Sequence, residues 1–401
     1  MSNILEFSWK KNLYVIWIAQ FIAMIGMNAC IPFLPLYIRK LGVTDAADAK
    51  VWSGFIFSAP FVLSFFFTPF WGYLGDKYGR KLMVIRAIAG LMLAMFLMGL
   101  AQNIWQLLTL RIIQGAISGF ISANLALVAS TTPKEHSGYA IALLQTSTTA
   151  GITVGPVVGG IFADTVGIRE SFFLVTFLCF LSVVIVILMV KEKKKFSSQE
   201  KKKFWDNFAI VWQAKKLVHL FFFITLCQAG ISFTNPILAY YLEFLNTPQA
   251  YLATITGIMV GAVGLLMTFF TPFWGKRNDR LGYESNLRLA LPVVILATMA
   301  QSIVPHYGYL FPLRFAIGIF SGAIIPTLYA ALNKHCLPEM QGSIMGFASS
   351  SAILGNLIGP LLSSLVSYSL GIKAAFIAGG SMMAMVYIQL LLFQEKQDSS
   401  I

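Results

Sequence analysis

Four arginines, Arg86, Arg111, Arg288 and Arg314, stand inside stretches that are otherwise apolar. A guanidinium there offers no covalent chemistry. It costs on the order of 2.5–3.5 kcal/mol to keep in hydrocarbon, so it must face protein or water. Arg111 lies about seven residues, roughly 10 Å of helix, from the nearer end of its stretch, and Gln114 and Gly115 follow it. Groups that can change charge near neutral pH are few. None of the 16 acidic residues lies deep in an apolar stretch, which leaves Asp76, Asp164, Glu243, Asp279 and His219 near the ends. His136, His219, His306 and His335 stand alone, and the four cysteines (Cys30, Cys179, Cys227, Cys336) show no metal or disulfide spacing. There is no nucleophile elbow and no Walker-type phosphate loop. The chain is expected to be no enzyme, to use no metal or cofactor, and to draw no energy directly from ATP.

The elements that must position these groups are membrane spans. With 57% hydrophobic and 11% charged residues, the composition is not that of a water-soluble globule. Asn12 to Ile38 carries no charge and as a helix is long enough to cross about 30 Å of hydrocarbon. Twelve such windows occur: 12–38, 51–74, 82–102, 104–130, 138–163, 170–190, 217–242, 251–274, 286–304, 307–332, 341–367 and 372–393. The ninth is the weakest, being short and holding Arg288 and Pro292. The runs are continuously apolar rather than alternating, which favours helices over a barrel. The expected fold is an all-α membrane protein with twelve transmembrane helices in two six-helix bundles.

The net charge of +13 invites a nucleic-acid reading, but its placement argues otherwise. If the N-terminus is cytoplasmic, most lysines and arginines fall in inside loops and few outside, among them Arg39, Lys40, Lys50, Arg169 and Lys373. That asymmetry is the positive-inside rule and puts both termini in the cytoplasm. Nucleic acid is not an expected partner; membrane lipid is. The first apolar run is too long for the core of a cleavable signal peptide.

The chain repeats itself. Thr68-Pro69-Phe70-Trp71-Gly72 returns about 200 residues later as Thr271-Pro272-Phe273-Trp274-Gly275, with Asp279 matching Asp76 and Gly282 matching Gly79. Arg111, Gly115, Ser118 and Gly119 match Arg314, Gly318, Ser321 and Gly322; Gly151, Gly155 and Pro156 match Gly355, Gly359 and Pro360. An even number of spans precedes the second copy, so the repeats are parallel. The organisation expected is a first bundle over 1–190, a basic cytoplasmic linker over 191–216 and a second bundle over 217–401. In the linker, Phe204, Phe208 and Val211 follow helical spacing, as do Trp205 and Trp212, which suggests a short interfacial helix.

Gly72 and Gly75 would let helices approach closely, Gly79 would permit a tight turn, and Asp76 and Arg80 could exchange partners in a two-state equilibrium. Gly72-x-Leu74-x-Asp76-Lys77-x-Gly79-Arg80-Lys81 resembles the signature between the second and third helices of the major facilitator superfamily. Gly151-x-x-x-Gly155-Pro156-x-x-Gly159-Gly160 is similar to the antiporter motif of its 12-spanner drug:proton branch, and the stretches 32–37 and 101–106 most resemble multidrug-resistance proteins within that branch. The resemblance implies alternating access about a midplane cavity lined by the first, fourth, seventh and tenth helices. It implies a proton-transfer role for Arg111 beside Gln114. A purely structural, carbonyl-bonded Arg111 fits the residues equally.

On that footing the gating and proton-coupling set is Gly72, Gly75, Asp76, Gly79, Arg80, Lys81, Arg111, Gln114, Gly151, Gly155, Pro156 and Asp279. The substrate set is Met24 and Asn28 from the first helix, Gln228, Ser232 and Asn235 from the seventh, and Gln145, Tyr329 and Asn356 from the fifth, tenth and eleventh. The expected function is efflux of amphipathic small molecules or drugs across the cytoplasmic membrane by a monomer, in exchange for protons. A dedicated metabolite exporter, for a siderophore or sugar, or an uptake symporter, is the alternative.

Overall fold

In hydrocarbon a backbone must satisfy its own hydrogen bonds, and the described residues of the twelve apolar windows fall in helices or in the short connections beside them. The computed structural model describes residues 2–117, 119–192, 215–334 and 341–398, with the backbone alone described at 2–8, 68, 69, 72, 73, 76, 134, 215, 216, 333, 341–343 and 393–398. The proposed linker helix and Cys336 lie outside the described residues.

The first copy comprises α1 (Ser2–Ala29), α2 (Leu34–Lys40), α3 (Ala46–Tyr78), α4 (Arg80–Gly99), α5 (Ile104–Ile117), α6 (Phe120–Thr131), α7 (Ser137–Thr165) and α8 (Ile168–Met189). The second comprises α9 (Lys215–Ser232), α10 (Leu238–Phe244), α11 (Leu252–Ala300), α12 (Leu310–Lys334), α13 (Gln341–Ser369) and α14 (Ile372–Asp398). Ten helical stretches among the described residues are long and apolar enough to cross a membrane. One of these, Gln249–Ile303, contains the eighth window and all but the last residue of the ninth, and Leu217–Ser232 is shorter. The eighth and ninth windows merge because the turn between them is a single left-handed residue, Gly282 at φ +81°. Its repeat-mate Gly79, at φ +106°, ends α3 in the same way. Both positions need a residue without a Cβ.

The duplication is visible in side-chain bonds as well. Tyr37 donates to the Met98 carbonyl at 2.7 Å, and Tyr241 donates to that of Gln301. Trp71 Nε1 donates to Ala116 O at 2.6 Å, and Trp274 Nε1 to Ile319 O at 2.8 Å. The copies differ at the fourth span: Gly119, at φ +107°, separates α5 from α6, whereas α12 runs unbroken.

Two compact units result. The first comprises Met1–Thr44, Ala59–Ser198 and Pro248–Gly261; the second comprises Asp45–Ser58, Gln199–Thr247 and Ala262–Ile401. In the first, α1 lies along α7 and α8, and α4 along α8. In the second, α9 lies along α13 and α14, over a core that includes Ile224, Cys227, Leu287, Leu291 and Met383. Helices α3 and α11 each begin in one unit and continue in the other.

Candidate functional site

The signature turn is fastened to the end of α8. Glu192 Oε1 accepts from the Arg80 amide at 2.9 Å, and Oε2 accepts from the Lys81 amide at 3.0 Å. These are amides of the first turn of α4, which have no partner within the helix, so the carboxylate caps it and meets the positive end of its dipole. Lys81 Nζ donates to the Ile187 and Val190 carbonyls at 2.9 and 2.7 Å, capping α8 in return. Arg80 Nη1 donates to Ala126 O at 2.7 Å. Asn12 closes the clasp from α1, donating to Lys191 O at 2.7 Å and accepting from Lys191 N at 3.1 Å. Gly75 is buried beside Met83. The side chain of Asp76 and the surroundings of Gly72 lie outside the description, and so does the expected Asp76–Arg80 exchange. Asp279 is exposed, and among the described residues no hydrogen bond or ion pair reaches it. Sequence reasoning missed Glu192; its only signal was an acid set between Lys191 and Lys193 at the edge of a basic linker.

The glycines of the fifth span bring two backbones together. A methyl group at Gly151 would strike the Cβ of Met24, one at Gly155 the Ile25 carbonyl and Asn28 Cβ, and one at Gly159 the Ala29 carbonyl. Close approach of this kind replaces hydrophobic drive in helix association within membranes. The second copy repeats it: Gly355 faces Gln228 and Ala229 of α9, and Gly359 faces Ala229 and Ser232. Pro156 is buried in α7.

Of the substrate residues expected in the first unit, Met24 and Asn28 are buried, and the Asn28 amide donates to Met24 O at 2.8 Å. Gln145 is exposed on α7. Beside it Trp17 Nε1 donates to Thr146 Oγ1 at 2.8 Å and stacks on Phe21, and Gln20 donates to Thr148 Oγ1 at 2.6 Å. In the second unit Gln228 Nε2 donates to Asn356 Oδ1 at 3.0 Å. Ser232 is buried and donates to Ala229 O at 3.2 Å; Asn235 is half-buried in the turn that follows α9. Tyr329 is half-buried against the second unit's core. The structure thus joins Gln228 to Asn356 and sets Met24 and Asn28 against the α7 glycines.

Arg111 is buried on α5 and donates through Nη1 to Gln114 Oε1 at 2.9 Å, one helical turn away. Arg314, its repeat-mate, is also buried and donates to Thr234 Oγ1 at 3.4 Å. Arg86 behaves differently. Its guanidinium carbon lies 3.5 Å from the centroid of the Trp71 ring, and its three nitrogens are buried with no hydrogen-bond partner among the described residues. The cation–π contact holds the guanidinium against α3.

The starts of α3 and α11 are repeat-mates, and each has an aspartate cap. Asp45 Oδ1 accepts from both Ala47 N and Asp48 N, each at 2.8 Å. For α11 the cap is Asp164, at the end of α7: Oδ1 accepts from Ala253 N at 3.2 Å and Oδ2 from Thr254 N at 2.6 Å. Among the described residues no group of three potential ligands could hold a metal ion.

The family model described as Major Facilitator Superfamily matches residues 16–311 and 220–400. The chain belongs to the major facilitator superfamily. It is therefore a multi-pass membrane protein of a transporter family. It is 36% identical to the multidrug resistance protein MdtG of Enterobacter lignolyticus, over 92% of this chain and 89% of that protein. With MdtG of Proteus mirabilis the identity is 34%, over 92% of each. Among solved structures, the nucleoside transporter NupG superimposes with a TM-score of 0.80 at 14% identity, over 95% of this chain and 98% of that one. The human organic anion transporter MFSD10 (TETRAN) gives 0.69 at 16%, over 95% and 99%. These superpositions carry the fold and nothing about substrate.

Proposed function

We propose that this superfamily member is a monomeric secondary transporter of the cytoplasmic (inner) membrane, with both termini in the cytoplasm, that exports amphipathic small molecules or drugs by alternating access in exchange for protons. One observation carries the reading: the similarity to multidrug resistance proteins runs over 92% of the chain, at 34–36% identity, rather than over a shared motif. The charge asymmetry of the loops supports the orientation, and the glycine contacts between α1 and α7 support the antiporter branch. A membrane potential supplies about 2.3 kcal/mol per charge per 100 mV, enough to drive appreciable accumulation.

In this reading Met24, Asn28 and Gln145 in one unit, and Gln228, Ser232, Asn235, Tyr329 and Asn356 in the other, contact substrate. Arg111 and Gln114 handle the proton. The signature residues Gly72, Gly75, Asp76, Gly79, Arg80 and Lys81, with Gly151, Gly155, Pro156 and Asp279, govern gating. The test is substrate-induced proton movement in proteoliposomes, screened across cationic, neutral and anionic compounds. Export of several unrelated compounds with proton uptake is expected. Response to a single metabolite would instead assign a dedicated exporter, and co-directional movement an uptake symporter. Arg111→Ala should abolish pH-driven export while counterflow persists; intact pH-driven export would remove Arg111 from the proton path.

A further inference from the structure

Ser285 and Arg288, one turn apart on α11, line a cavity of about 420 Å³ whose other described lining residues are Leu281, Glu284 and Leu289. These residues straddle the Gly282 turn, so the cavity lies where the ninth span meets the membrane surface. Arg288 is six residues past that turn, roughly 9 Å of helix. Among the described residues no hydrogen bond or ion pair reaches its guanidinium, and its Nε is buried. A second guanidinium backs this wall. Arg277 Nη2 donates to Ser285 Oγ at 3.2 Å, and Arg277 Nε is also buried with no partner among the described residues. Because the Ser285 oxygen accepts that bond, its own O–H proton remains to donate.

Two guanidinia and a hydroxyl thus converge on one cavity, and what the set lacks is an anion. An unpaired guanidinium beside hydrocarbon is costly, and a phosphate matches its forked donors. The rim of the cavity selects the source of that phosphate. Leu281 and Leu289 are exposed, and so is Leu296, two turns deeper on the face of Leu289. Such a track suits an acyl chain, which a soluble phosphate does not have. Charge selects the headgroup. Arg277 and Arg288 against Glu284 leave one positive charge, which a phosphodiester with no cationic group neutralises. The Glu284 carboxylate can then accept from headgroup hydroxyls. Lys276 and Arg280, exposed on the turn before Gly282, outweigh the exposed Asp279 and draw anionic lipid toward the site.

We propose that this cavity binds the headgroup of an anionic phospholipid. Arg288 and Ser285 hold its phosphate with Arg277 behind them, Glu284 takes the hydroxyls of a glycerol headgroup, and an acyl chain runs along Leu289 and Leu296. The site needs only that the chain spans a membrane, and it goes beyond the drug-export reading; the orientation proposed above places it in the cytoplasmic leaflet. The repeat confines it to the second copy, since Leu82 and Ile85 stand where Ser285 and Arg288 have their counterparts.

The test is lipid binding by the full chain, delipidated in detergent and titrated with phosphatidylglycerol, phosphatidylethanolamine or glycerol phosphate under native mass spectrometry. Phosphatidylglycerol should bind about five- to tenfold more tightly than phosphatidylethanolamine. Arg288→Gln should weaken phosphatidylglycerol about five- to tenfold, and Arg288→Lys, which keeps the charge without the fork, by less. Ser285→Ala should weaken it about two- to threefold, and it keeps the proposal open to refutation should Arg288→Gln fail to fold. Lys276→Gln removes a charge outside the cavity and should change the affinity less than about twofold. Phosphatidylglycerol affinity undiminished by Arg288→Gln or by Ser285→Ala overturns the site. A loss in Lys276→Gln equal to that in Arg288→Gln would reduce it to a diffuse field, and equal binding of phosphatidylethanolamine would remove the anionic headgroup. Glycerol phosphate bound as tightly as the lipid would make it a soluble-phosphate site. The titration involves no substrate and no gradient, so the lipid site can fail while drug export stands, and export can fail while the site stands.

Discussion

The first turns of α3 and α11 occupy equivalent places in the two copies and rest on equivalent helices, yet they are held by different means. Around α3, Gly54 sits against the Pro360 carbonyl, Ser58 donates to Leu357 O at 2.7 Å, and Tyr240 bridges to Ala49 O and Ser53 at 3.2 and 3.1 Å. Every one of these contacts is neutral, and the cap comes from Asp45, adjacent in sequence and using one oxygen for both amides. Around α11 the hydroxyl contacts are replaced by glycine on carbonyl, and the cap is borrowed from α7 through both oxygens of Asp164. Two aspartates with the same local task therefore do it with different numbers of oxygens, one in Asp45 and two in Asp164.

The largest effect should come from filling the space that the two starts share. Gly257→Leu and Gly54→Leu both drive a side chain into a neighbouring carbonyl, and each should lower stability by about 1–3 kcal/mol in thermal unfolding of the detergent-solubilised protein. Equal losses would show that the seats are equally tight; an indifferent Gly257→Leu would mean that the start of α11 is not seated on α7. Asp164→Asn comes next, at about 1 kcal/mol. Tyr240→Phe removes hydroxyl contacts while leaving Ala49 O bonded to Ser53, and should cost about 0.5–1 kcal/mol with no change in any pH profile. Asp45→Asn should be the smallest, within about 0.5 kcal/mol, because asparagine keeps the one oxygen that caps α3. If Asp45→Asn and Asp164→Asn cost the same, the difference in oxygen use has no energetic content.

Much of this architecture was legible from residue order. Continuous apolar runs forced helices, because hydrocarbon offers no other partner for the backbone. The recurrence of Trp71 and Gly79 as Trp274 and Gly282 announced the duplicated turns that the structure contains. The spacing of Gly151, Gly155 and Gly159 announced the backbone contact with α1. Within the candidate site the sequence was less informative. Arg111 and Gln114 are a turn apart on one helix, so their bond could be anticipated from spacing. Glu192 could not be singled out, because its partners are amides of Arg80 and Lys81, far away in the chain. The same holds for Arg86, whose stacking on Trp71 depends on how α3 meets α4.

What residue order determined is everything periodic or local: span length, helix type, the internal repeat, the glycine turns and the Asp45 cap, each decided by hydrocarbon thickness or by atoms a few bonds apart. What only tertiary structure decided is which distant group meets which helix end. Asp164 and Asp45 look alike in sequence, each at a helix boundary beside small residues. Only the packing of α7 against α11 puts both oxygens of one of them on two amides, since the directions in which a carboxylate points are set by the backbones around it and not by its neighbours in the chain.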